Sequence, residues 1–147
     1  MQNVIRVRIE TDAELTLLRP LDTFVRSLME QVPHLAEAKD LVDKLELAFN
    51  EAFTNVCRHT YPSGQERPLA IEILLGQDHL EFRFEDQGRK FDPDKVSNPD
   101  LDNPRDGGLG VWLIRGVMDE FVYFSDDTGK NVLRLIKRYQ GKRDPSV

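Results

Sequence analysis

The chain opens on strict alternation. Ile5, Val7 and Ile9 share one side, while Arg6, Arg8 and Glu10 share the other, which predicts a half-buried strand. The period then changes: Leu21, Phe24, Val25, Leu28, Met29 and Val32 follow a helical seam, with Pro20 in or near the first turn and Pro33 as a stop. A second helix is predicted from about Ala38 to Tyr61, its stripe formed by Leu41, Leu45, Ala48, Ala52 and Val56, and Tyr-Pro-Ser-Gly ends it. "LAIEILLG" and "HLEFRFED" are strands joined by a tight turn at Gly76, Gln77 and Asp78, a hairpin. From Gln87 to about Gly108 no period survives and Gly, Pro, Asp and Asn dominate, so this is a long loop. Long loops in compact domains are usually functional. "LGVWLIRGVMDE" returns to helix, and "FVYFS" and "NVLRLIKR" close the chain as a hairpin across "DDTGK".

Several strands carry charge on one side only, which predicts a sheet covered by helices on one face and wet on the other. The order βααββ, loop, αββ fits an α+β, two-layer α/β sandwich and not a doubly wound sheet, where strands and helices alternate. The 147 residues suit a single domain spanning 1–147. The one cysteine, Cys57, allows neither a disulfide within the chain nor a cysteine-based zinc site. A net charge of −6 argues against nucleic-acid backbone as the main partner. No apolar run reaches membrane-spanning length and the first residues lack an apolar leader, so the expectation is a cytoplasmic protein without a membrane anchor. The tail "GKRDPSV" is polar and expected to fray.

Three short stretches could carry chemistry. In "NEAFTNVCRH", Glu51 and Asn55 lie one helical turn apart, about 40° in bearing, at the shoulder of the apolar stripe. An Asn carbonyl is a hard oxygen suited to Mg²⁺ beside phosphates, and a Glu can orient or deprotonate a hydroxyl. Taken alone, the pair also reads as a solvated Glu and a surface Asn. In "FEDQGRKFDP", Asp86 ends a strand and Gly88 opens the loop; a carboxylate there can accept from an exocyclic amine, and Gly88 admits close backbone approach, although an ordinary Asp-x-Gly turn looks the same. In "DGGLGVWLIRG", Gly107, Gly108 and Gly110 stand at the mouth of a helix, whose free N–H groups favour an anion, or form a flexible joint. This is neither the Walker pattern nor the dinucleotide fingerprint.

In this fixed order the three stretches resemble the GHKL (histidine-kinase-like) ATPase superfamily along nearly the whole chain. Glu51 and Asn55 look like its N box, Asp86 and Gly88 like its first glycine box, and Gly108 and Gly110 like its second. The resemblance implies a Bergerat-type ATP-binding fold with a mixed sheet, ATP and Mg²⁺ as cofactors, Asn55 at the metal, and a lid at about 95–107. "LAFNEAFTNVCRHTY" and "GGLGVWLIRGVMDEF" are similar to the anti-sigma-factor serine-protein kinases, in which the residue matching Glu51 is the general base. This likeness implies an ATP-dependent serine/threonine-protein kinase acting in a partner-switching system. It would phosphorylate a small STAS-type antagonist protein, bind a sigma factor and form a homodimer. The rival readings are a non-catalytic nucleotide-binding regulatory module and a related kinase whose output is not a sigma factor. Other residues carry quieter expectations: His59 back on the stripe in a structural role, Arg58 solvated, Cys57 pointing away as a bystander, Trp112 in the core, and Lys90 and Arg105 flanking the loop near phosphate.

Overall fold

The computed structural model describes residues 4–61, 66–90 and 109–139. Strand β1 (Ile5–Asp12) leads through a short 3-10 turn (Leu15–Leu17) into α1 (Leu18–Met29). A one-turn helix α2 (Pro33–Ala36) precedes the long α3 (Lys39–His59). The hairpin β2 (Pro68–Leu75) and β3 (His79–Asp86) comes next, then α4 (Leu109–Val117) and the hairpin β4 (Glu120–Ser125) and β5 (Asn131–Arg138). The sequence patterns place the five strands and α3 within about two residues, whereas α1 ends three residues before Val32, α4 stops at Val117 rather than Glu120, and the one-turn α2 starts at Pro33, where a stop is expected. Gly129 sits at φ 82° in the last turn, a backbone region that favours glycine. The expected lid, Gly108, Arg105 and the polar tail lie outside the described residues.

The five strands form one sheet in the order β1-β2-β3-β5-β4, and helices cover one of its faces, as the two-layer α+β reading expects. The sheet is not mixed, however: every neighbouring pair runs antiparallel. The connections explain this. A single crossover helix returns the chain parallel to its starting strand, but α1 and α3 together add a further reversal between β1 and β2. The one single-helix crossover, through α4, joins β3 to β4. These two strands do point the same way, yet β5 separates them, so no parallel pair shares a ladder.

Register brings the apolar faces into rows. Val7 faces Ile73, Ile73 faces Phe82, Phe82 faces Leu135 and Leu135 faces Phe121. Phe49 of α3 lies on this face, 5.3 Å from the Phe82 ring edge-on and 5.5 Å from Phe84. Phe53 stacks one turn further on at 6.4 Å. Burying such side chains contributes about 1.5–3 kcal/mol each. The stripe of α3 is therefore wider than the helical period predicts: Val42, Phe49, Phe53 and Cys57 are buried with Leu45, Ala48, Ala52 and Val56. Cys57 does not point away; it is buried, which pushes its thiol up to about 11. His59 is exposed rather than back on the stripe. Phe24 and Trp112 are also largely exposed instead of entering the core.

The uncovered face is charged over β1 to β3. Arg8 meets Glu72 at 2.6 Å and also Glu10 and Glu85, and Arg134 pairs with Glu81. Over β4 and β5 the same face is mixed: Arg134 and the Arg138–Glu120 pair share it with exposed Val122 and Phe124 and buried Val132 and Ile136.

Candidate functional site

Helix α3 and the end of β3 build the two ends of one cleft. Asn55 lies on the side of α3 turned towards α4, and Asp86 is the last residue of β3, on the sheet face that the helices cover. Between them Val56, Val111, Ile114, Phe121 and Leu133 supply apolar walls, and Thr60 closes the Asp86 end. The cleft is thus an apolar slot with an amide at one end and a carboxylate at the other, a chemistry suited to a flat heteroaromatic ring carrying an amine. The slot is narrow, with about 20 Å³ of free space. Roomier hollows lie elsewhere: one of about 230 Å³ beside Arg8, Glu85 and Lys130 on the outer face, one of about 680 Å³ between the start of β1 and Val32–His34. Neither gathers residues that the sequence singled out.

At the Asn55 end the first turn of α4 rests against α3. A methyl group placed on Gly110 would stand 2.7 Å from Glu51 Oε2 and 3.3 Å from Asn55 Nδ2. Only a residue without a side chain lets the α4 backbone approach these two groups so closely. The N box and the second glycine box, 55 residues apart between Asn55 and Gly110, are therefore brought together through Glu51, Asn55 and Gly110. Gly108 lies outside the described residues.

At the other end Asp86 is 4% exposed. Its Oδ1 accepts the Gly88 N–H at 2.9 Å and the Asn131 Nδ2–H at 2.9 Å. Burial raises its pKa above the ordinary carboxylate value, and the two donors oppose that rise. Gly88 is held against α3: a Cβ there would collide with the Thr60 carbonyl and stand 2.5 Å from Thr60 Cγ2. The Arg89 N–H donates to that same carbonyl at 2.7 Å. Tyr61 ties the corner together, its hydroxyl donating to the Pro68 carbonyl at 2.5 Å and accepting the Gln87 N–H at 2.8 Å.

Glu51, Asn55, Asp86, Gly88 and Gly110 thus fall on this one cleft or its rim. Sequence patterns alone do not single out Thr60, Tyr61 or Asn131. Thr60 and Tyr61 read as the end of a helix, and Asn131 follows a turn with nothing local to mark it. Only the pairing of Asp86 with Asn131 across β3 and β5 discloses it. No group of three or more His, Cys, Asp or Glu side chains that could cage a metal occurs among the described residues. No described helix is long and apolar enough to cross a membrane.

The fold and the cleft define a nucleotide-binding domain of the histidine-kinase type. A model of the histidine kinase-like ATPase domain matches residues 11–137, and the chain belongs to that family. It is similar to the serine-protein kinase RsbW of Staphylococcus epidermidis, 30% identical over 152 aligned positions that cover 95% of this chain and 91% of that protein. It is also similar to RsbW of Listeria monocytogenes, 31% identical over 97 residues, where the match covers 60% of this chain and 61% of the relative's length. Among solved structures the fold is shared with the SiaB–SiaC complex of Pseudomonas aeruginosa (TM-score 0.61, 15% identity, 90% of this chain and 89% of that one). It is shared too with the RsbU and RsbW domains of a Mycobacterium tuberculosis protein (TM-score 0.58, 14% identity, 95% of this chain and 34% of that one).

Proposed function

We propose that the protein is an ATP-dependent serine/threonine-protein kinase of the anti-sigma type, with a small STAS-type antagonist protein as its substrate. One observation carries this reading: Glu51 and Asn55 meet the first turn of α4 at the mouth of a slot that ends on Asp86. A purine ring enters the slot when α4 draws back from α3, its exocyclic amine donating to Asp86. The phosphates then lie towards Asn55 and the α4 N-terminus, where backbone N–H groups and the helix dipole favour negative charge. The donor set fits Mg²⁺, which takes one or two protein oxygens together with substrate phosphates and water rather than a protein cage. Asn55 would hold it, and bound there it would neutralise charge on the phosphates.

Glu51 supplies what a docking module does not need. Its carboxylate reaches the phosphate end of the cleft and takes the proton of a serine hydroxyl as that oxygen bonds to the γ-phosphorus. The bond to the β-phosphate oxygen breaks and ADP leaves. Positioning and charge neutralisation do most of the work in such a transfer. The serine-protein kinase relatives support this assignment, and the family resemblance adds a bound sigma factor and a homodimer.

The test is transfer of labelled γ-phosphate from ATP to candidate antagonist proteins. Glu51→Gln keeps the shape of the site and removes the base. It is expected to retain ATP binding and to lose transfer by roughly 10²–10⁴-fold. Transfer near the wild-type rate would place the base elsewhere, and ATP binding without transfer to any antagonist would favour the non-catalytic module.

A further inference from the structure

Asn131 begins β5, is 1% exposed, and stands directly across the ladder from Asp86. Its Nδ2 donates twice, to Asp86 Oδ1 and to the Gly88 carbonyl, each at 2.9 Å. Both partners are acceptors, so the amide nitrogen must face them and its orientation is fixed by chemistry. The Ser125 hydroxyl, at 3.4 Å, lies on the amide's oxygen side.

This fixes how much of Asp86 remains for a ligand. An ionised carboxylate has about two acceptor positions on each oxygen. On Oδ1 one is taken by the Gly88 N–H and the other by Asn131. Oδ2 takes no hydrogen bond from a described residue, and the side chain lines the cleft. A ligand therefore meets a carboxylate with a single oxygen on offer. Adenine presents one donor group on its pairing edge, the exocyclic amine, and one oxygen satisfies it. Guanine presents two neighbouring donors, the ring N1–H and the 2-amine, which match a carboxylate offering both oxygens side by side. With Oδ1 saturated, one of the two is buried without a partner, and a site that strands a buried polar group rejects its ligand strongly.

We infer that Asn131 is a base-specificity residue: by occupying Asp86 Oδ1 it leaves the carboxylate one-pronged and sets the cleft for adenine against guanine. This rests on the reading of the cleft as a nucleotide site. The Gly88 N–H alone would leave an acceptor position open on Oδ1, so the discrimination belongs to the side chain at position 131.

The test is displacement of a fluorescent ADP analogue by ADP, GDP and IDP. IDP shares guanine's N1–H and carbonyl and lacks only the 2-amine. In the wild-type protein ADP binds best, and GDP binds more weakly than IDP, because the 2-amine that IDP lacks is buried with no second oxygen to accept it. A GDP affinity about tenfold above that of IDP, the worth of about one hydrogen bond, would show Oδ1 to be open and overturn the inference without any variant. Asn131→Leu keeps the volume and removes the donors. GDP should then gain about tenfold relative to both ADP and IDP. A purely structural role would instead weaken all three nucleotides together and leave their ratios unchanged, which also overturns it. If the wild-type protein binds none of the nucleotides, the nucleotide reading itself fails, an outcome distinct from binding with the wrong ratios.

Discussion

Asp86 is a buried carboxylate, so the fold carries the cost of its charge and returns it only to a ligand that donates. Asp86→Asn replaces a charged acceptor by a neutral one and should weaken ATP binding by about 1.5–3 kcal/mol, read by calorimetry on a protein with unchanged melting. Burial raises the Asp86 pKa and the ligand's amine needs the ionised form. ATP affinity should therefore fall on acidification, beginning above the ordinary carboxylate value of 3.8. Gly88 makes a second point. Its contact with the Thr60 backbone has no slack, so Gly88→Ala should destabilise the protein by about 1–3 kcal/mol, the range for overpacking, measured by denaturant unfolding. Asp86, Gly88, Glu51 and Asn55 are legible in the sequence because each pair sits within a few residues on one element. Asn131 and Thr60 are not, because they join the site through strand register and through a helix end folded back on a loop.

Between elements, the junction of α1 and α3 holds a second, partly exposed charge system. Asp22 of α1 faces Glu46 and Asn50 of α3, while Arg26 links Glu46 at 2.5 Å with Asp43 at 2.8 Å. Burial first, and then Glu46, pushes the Asp22 carboxyl up to about 6. An acid whose pKa is higher folded than unfolded binds more protons in the folded state, so this site loses stability as pH rises from about 4 to about 6 and stays penalised above. Asp22→Asn should leave stability at pH 4 nearly unchanged and raise it at pH 8 by about 1 kcal/mol once solvent screening is allowed for. Thermal melts at the two pH values check this. The other junction, α3 with α4, depends on Gly110. Gly110→Ala should crowd Glu51 and Asn55 in this closed arrangement and destabilise it by about 1–3 kcal/mol, the range for overpacking, read by denaturant unfolding without nucleotide. Helical periodicity assigns these elements their faces but not their neighbours. Cys57 departs from its expected place because α3 packs against α1 and α4 as well as the sheet, so its buried arc is wider than one stripe. Trp112 departs because the core side of the short α4 is filled by Val111, Ile114 and Met118.

Across the whole molecule, the sheet is a platform that brings distant segments to one cleft. The two-layer class follows from one-sided charge along the strands, a property each strand carries by itself. Strand direction is not readable in the same way, since it depends on how many helices intervene before the chain returns and on which neighbour it joins. The insertion of β5 between β3 and β4 makes the ladder antiparallel throughout and also sets Asn131 against Asp86. The same architecture closes the slot to about 20 Å³ and rests Gly110 on Glu51, so a base and its phosphates enter only if α4 and α3 separate at that end. A crystal structure of the protein with Mg²⁺ and a non-hydrolysable ATP analogue puts the nucleotide site to its sharpest test. The adenine ring is expected in the slot with its amine on Asp86 Oδ2, the metal on Asn55, the first turn of α4 moved off Glu51 towards the phosphates, and Glu51 open to an incoming hydroxyl. An analogue bound away from Asp86, or phosphates at the opposite end from Asn55, would show the cleft to be something other than an ATP site.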